Sequence, residues 1–130
     1  MKSNLDLAQA LLAKAANDLK TAEIALQHEG PLDAVAFHLQ QAAEKMLKAL
    51  LASRAIVYPR THDLDDLLDL VPEDCNTIHS FRERLVGWNS YAVEMRYDVE
   101  VYPQAEEIEE ALRTARALQA AVLQVVPPKA

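Results

Sequence analysis

The residues best able to do chemistry in this chain of 130 residues gather in a few places. Arg96 closes an apolar helical run, with Tyr97 beside it and Asn89 two turns earlier on roughly the same face. A guanidinium there can clamp a phosphate bidentately; equally, it can satisfy helix-end carbonyls and pair with an acid. His62 has the same duality. Its imidazole can serve as a general base or phosphate donor near neutral pH, or simply order the start of a helix. Lys45, Lys48, Arg54 and Arg60 cluster around the end of the second predicted helix and offer further cationic contacts.

Two other spacings favour ordinary structure over a site. His62 with Asp66, and Asp65 with Asp69, lie one turn apart and could ligate a metal, but an acidic helix start explains the carboxylates without one. Cys75 and His79 share that spacing, which suits a thiolate nucleophile, yet a small packed thiol beside a loop is the commoner arrangement. No metal and no cofactor is expected. Di-iron chemistry is excluded, because the residues three before His28, His38, His62 and His79 are Ala25, Val35, Pro59 and Asn76, never Glu. Two glycines cannot build a phosphate-cradling loop or a dinucleotide fingerprint, and no serine is framed as a nucleophile.

The elements that must position these residues are helical. Leu5, Leu12, Leu19 and Leu26 recur every seven residues, with Ala8, Ala15 and Ala22 between them, predicting a long first helix with a narrow seam suited to close packing. Gly30 and Pro31 read as stop and restart. A second helix from Leu32 to about Arg54 has an apolar stripe wide enough for neighbours on two sides. Pro59 marks a connector, Thr61 an N-cap, and Leu64 to Val71 a short third helix closed by Pro72. Ile78, Phe81, Leu85, Trp88, Ala92 and Met95 step by three and four, predicting a continuous fourth helix with an irregularity at Gly87. A last helix starts near Pro103 and buries Ile108, Ala111, Leu112, Ala115, Leu118, Val122 and Val125. The sum is an all-α, antiparallel up-and-down bundle of four long helices and one short one, forming a single domain over residues 1–130.

Composition agrees: 51% of residues are hydrophobic, and only two are glycine, which disfavours both disorder and a turn-rich β-sandwich. A net charge of -7 argues against indiscriminate nucleic-acid binding. The charge is polarised, however. Residues 63–74 and 98–110 hold twelve of the twenty acids and no base, leaving eight acids against thirteen bases elsewhere, so a phosphate-friendly surface is compatible with the total. The single cysteine fits a reducing, cytoplasmic setting, and the charged first segment is neither a signal peptide nor a membrane span.

Three blocks, Gln40-Gln41-Ala42-Ala43-Glu44-Lys45-Met46-Leu47-Lys48-Ala49-Leu50, Thr61-His62-Asp63-Leu64 and Arg96-Tyr97, together resemble the HEPN domain, a small helical module named for higher eukaryotes and prokaryotes nucleotide-binding. The resemblance runs from about Leu5 to Val126. It implies a homodimeric bundle, often encoded beside a minimal nucleotidyltransferase in toxin-antitoxin-like pairs, whose members include RNA-cleaving toxins and proteins proposed to bind nucleotides. The ribonuclease members carry an Arg followed, after four to six residues, by a His that handles a ribose proton while the Arg steadies the phosphate. This sequence departs from that pattern: the corresponding positions after Arg96 hold Val101, Tyr102 and Pro103. Tyr102 can hydrogen-bond a ligand, but a phenol is a poor base at neutral pH. The expectation is therefore an interaction module without catalysis of its own, contacting nucleotide or RNA phosphate through Arg96, His62, Tyr97, Tyr102, Asn89, Lys45 and Lys48. The alternative is a ribonuclease with altered catalytic residues, in which His62 supplies the missing imidazole.

Overall fold

The computed structural model describes residues 3–92 and 103–128. Its first helix, α1 (Asn4–Gln27), opens on a reciprocal cap: Ser3 Oγ accepts the Asp6 amide and Asp6 Oδ2 accepts the Ser3 amide, each at 3.1 Å. The predicted seam is the buried face, with Ala8, Leu12, Ala15, Leu19 and Ala22 packed inward. Small side chains on that face let α2 (Leu32–Ser53) lie close alongside, and this antiparallel pair is the most extensive helix contact in the fold.

The turn between them corrects one expectation. The residue in the left-handed conformation is Glu29, with φ 56°, not Gly30. Gly30 is needed for a different reason: its amide donates to the Ala25 carbonyl at 2.7 Å, and a Cβ there would sit 3.0 Å from that same oxygen.

α2 is buried on most of its circumference, against α1 on one side and α3 (Leu64–Leu70) and α6 (Ala105–Val125) on others, as its wide stripe implied. Beyond its Arg54 cap the chain turns off at Ala55, also left-handed at φ 57°, and the Ile56 amide returns to the Leu51 carbonyl. The chain then runs back along α2 to α3. The N-cap of α3 is Asp63, not Thr61: Asp63 Oδ1 accepts the amides of Asp65 and Asp66, while Thr61 Oγ1 accepts the amide of Asp63. Two cap-competent residues stand two positions apart, and the one whose carboxylate reaches the first free helical amides takes the role.

The continuous fourth helix is the larger correction. Residues 76–88 form a four-residue α4 (Asn76–His79), a 3-10 turn (Glu83–Leu85) and a break at Gly87, with φ 87°, before helix resumes in α5, described over residues 89–92. Ile78, Phe81, Leu85, Trp88 and Ala92 are nonetheless all buried. A three-and-four spacing keeps one face inward through stacked short turns as well as through one rod, and the left-handed glycine prevents the rod. In α6, Ile108, Ala111, Ala115, Leu118 and Val122 face the core as predicted, with Leu112 and Val125 at its edge. Among the described residues there is no strand, so the architecture is an all-α antiparallel bundle, and no helix is long and apolar enough to cross a membrane.

Candidate functional site

One ridge of α2 carries Gln40, Glu44, Lys48 and Ala52 at successive four-residue steps, and the connector from Ile56 to Asp63 retraces it in the opposite direction. Glu44 is the centre of this contact. Its carboxylate is 6% exposed and takes three donors: Lys48 Nζ at 3.0 Å, His62 Nδ1 at 2.8 Å and Gln40 Nε2 at 3.4 Å. Gln40 Nε2 also donates to the His62 carbonyl at 3.0 Å, so both the backbone and the ring of His62 are fixed from α2. Burying a carboxylate is costly unless it is paired and hydrogen-bonded, and here both conditions are met. The His62 side chain itself is 67% exposed.

The loop is tied from a second direction. Asn89, at the start of α5, accepts the Leu64 amide on Oδ1 and donates from Nδ2 to Asp63 Oδ1, each at 3.0 Å. The structure thus gathers three of the candidates along the connector: His62 and Asn89 at the entrance to α3, and Lys48 joined to His62 through Glu44. At the other end of the ridge, Lys48 Nζ lies 5.7 Å from the Tyr58 ring centroid, and burial raises the Tyr58 hydroxyl above its ordinary pKa. Tyr58 borders a shallow cavity of about 330 Å³ walled by Leu7, Ala52, Ile56 and Val57.

Lys45 is not part of this group. It faces α1, where its Nζ pairs with Asp18 at 2.5 Å and His38 Nδ1 meets the same carboxylate at 2.9 Å. Arg96, Tyr97 and Tyr102 lie outside the described residues.

The weaker constellations resolve into structure. Arg82 clamps Asp65 and Asp69 at 3.0 and 2.8 Å, and the Asp66 carboxylate accepts the Thr61 hydroxyl. Among the described residues no three metal-ligating side chains converge. His79 Nε2 donates to the carbonyls of Val71 and Pro72 at 3.0 and 3.1 Å, so its ring secures the loop after α3 and is not directed at the buried Cys75 thiol. Glu44 was missed as a functional residue. Its signal was present: a carboxylate one turn from a lysine, on the face of α2 that the apolar pattern assigns to the core.

An all-α bundle whose second helix holds a Thr-His-Asp-Leu loop through a Gln-Glu-Lys ridge defines the class of small helical modules to which the three sequence blocks pointed. The chain belongs to the HEPN domain family, whose model matches residues 8–125. The fold is shared with TT1696 from Thermus thermophilus, 30% identical, over 90% of this chain and 96% of that one, with a TM-score of 0.78. It is also shared with ST0689, an archaeal HEPN homologue, 24% identical, over 98% of this chain and 100% of that one, with a TM-score of 0.69. No curated protein matches the sequence.

Proposed function

We propose that this HEPN protein is a non-catalytic, homodimeric interaction module of the cytoplasm that associates with a minimal nucleotidyltransferase encoded beside it and contacts a nucleotide or RNA phosphate. The observation that carries the reading is the Glu44–His62 contact, which spends a buried carboxylate on holding a mostly exposed imidazole. Arg96, a candidate on its sequence position alone, and Lys48, which shares the Glu44 carboxylate with His62, are the further cations proposed to meet the anion. The lack of a His at the ribonuclease spacing after Arg96 supports binding without cleavage.

Co-expression with the product of the adjacent reading frame tests the partnership, and calorimetric titration with a nucleoside monophosphate tests the anion site. Co-purification with a transferase, together with nucleotide binding that Arg96→Ala or His62→Ala abolishes, is the expected result. Failure of both the pull-down and the titration contradicts it.

The same Glu44–His62 geometry favours a second reading. A carboxylate behind an imidazole is how hydrolytic sites orient a general base, so a ribonuclease using His62 is the alternative. RNA cleavage by purified protein in the presence of EDTA, lost in His62→Ala, selects it.

A further inference from the structure

Glu44 and Lys48 form an ion pair one helical turn apart without help from any other residue. The buried carboxylate therefore does not need His62 to balance its charge. His62 arrives from the connector, where Gln40 holds its carbonyl and Asn89 holds the Leu64 amide two residues on. The three donor groups divide the two oxygens. The Lys48 ammonium takes Oε2, and Oε1 faces His62 Nδ1, with the Gln40 amide more distant at 3.4 Å. A carboxylate oxygen only accepts, so Nδ1 must carry the proton. In the neutral ring Nε2 is then bare, and it has no hydrogen-bond partner among the described residues.

We propose that Glu44 is a positioning residue that locks His62 in the Nδ1-protonated tautomer and turns Nε2 outward as the atom a ligand meets. A single proton converts that atom from acceptor to donor while the ring stays in place. Of the charged groups on the packed elements, Glu44 of α2 meets the ring directly, Lys48 of α2 pairs with the other oxygen of that carboxylate, and Asp63, the next residue, turns its carboxylate to the first amides of α3. The functional weight of Nε2 rests on the anion-binding reading given above; the tautomer does not.

Substituting Glu44 by Gln makes the inference sharp. The Lys48 ammonium has only donors, so the new amide must turn its oxygen toward Lys48 and its NH2 toward His62. Nδ1 then has to accept, and the proton moves to Nε2. Long-range 15N–1H NMR on the full chain, at a pH where the imidazole is neutral and with the His62 signals assigned by their loss in His62→Ala, reads this directly. The wild type is expected to show a protonated Nδ1 and a bare Nε2, and Glu44→Gln the reverse. The double variant Glu44→Gln/Lys48→Met, which removes the ammonium and frees the amide to rotate, is expected to restore the wild-type tautomer. If the single variant does not fold, Glu44→Ala, which removes the acceptor, is compared instead, with loss of the fixed Nδ1-protonated form expected. A wild-type ring protonated on Nε2, a folded Glu44→Gln protein with an unchanged tautomer, or a double variant protonated on Nε2 overturns the proposal. Titration with adenosine monophosphate at about pH 5.5, where an ordinary imidazole carries both protons and Nε2 can donate to a phosphate, separates the two ideas: the expected tautomers with no nucleotide binding uphold the positioning role and retire the anion site.

Discussion

Two clusters on α2, one facing α1 and one facing the connector, use the same three kinds of side chain for different ends. In one, Asp18, Lys45 and His38 join α1 to α2; in the other, Glu44, Lys48 and His62 join α2 to the connector. In the first, the histidine is part of a helix, 32% exposed, and set edge-on to Phe37. Its carboxylate comes from the neighbouring helix, so the whole cluster fastens two rods. In the second, carboxylate and lysine share one helix, and the histidine is an exposed visitor on an extended segment. The difference teaches that a Lys–carboxylate–His set is a fastener when the carboxylate bridges elements, and a mount when carboxylate and lysine are already paired. It also explains why Lys45 and Lys48, three residues apart and equivalent by composition, have separate roles.

The contrast can be broken by substitution. Glu44→Ala is expected to have the largest effect, about 3–5 kcal/mol of lost stability in chemical denaturation, because it strands a largely buried ammonium. A loss below 1 kcal/mol would show that the carboxylate is not the centre of its cluster. Asp18→Ala should cost less, about 1–2 kcal/mol by the same measurement, since Lys45 and His38 both reach water once released. Asn89→Ala leaves the Leu64 amide without its acceptor and should cost about 1–2 kcal/mol. It should also broaden the His62 NMR signals while leaving those of His38 unchanged.

A third carboxylate contact extends the comparison. The Tyr91 hydroxyl donates to Glu107 and ties α5 to α6, and its pKa is raised well above 10, first by burial and then by the hydrogen bond and charge of Glu107. The native state therefore holds this proton more tightly than the unfolded chain. Its contribution is complete below pH 10 and falls as pH rises from there toward the raised value. Tyr91→Phe should cost about 1 kcal/mol at neutral pH and flatten the alkaline loss of stability in pH-dependent denaturation. The smallest effect on stability belongs to His62→Ala, below about 0.5 kcal/mol, although it is expected to abolish phosphate binding.

Much of the frame was legible from residue spacing. The Leu/Ala seam of α1, the wide stripe of α2 and the inward face of α6 all follow from periodicity, because a long amphipathic rod has few other ways to bury such a pattern. Residues 76–88 were not legible in the same way, since short stacked turns bury the same positions as a helix; Gly87 was the one local sign. His62, Lys48 and Asn89 could be named as candidates from type and spacing. What joins them could not. Glu44 meets His62 across 18 residues of chain, and only the return of the connector along α2 makes a core-facing carboxylate into a mount. The core-facing register of Glu44 was readable from the apolar pattern of α2, but a helical acid reads by default as a solvated one, and its partner becomes visible only in three dimensions.

The central claim, that the mount exists to present an anion contact, is tested most directly at about pH 5.5, where an ordinary imidazole is charged, by isothermal titration of adenosine monophosphate into the wild-type chain and His62→Ala, with thermal unfolding of both recorded alongside. The account predicts saturable binding to the wild type and none to His62→Ala, at matched unfolding temperatures. Equal binding by the two proteins, or a His62→Ala chain that unfolds far earlier, would make His62 a structural pin and contradict it.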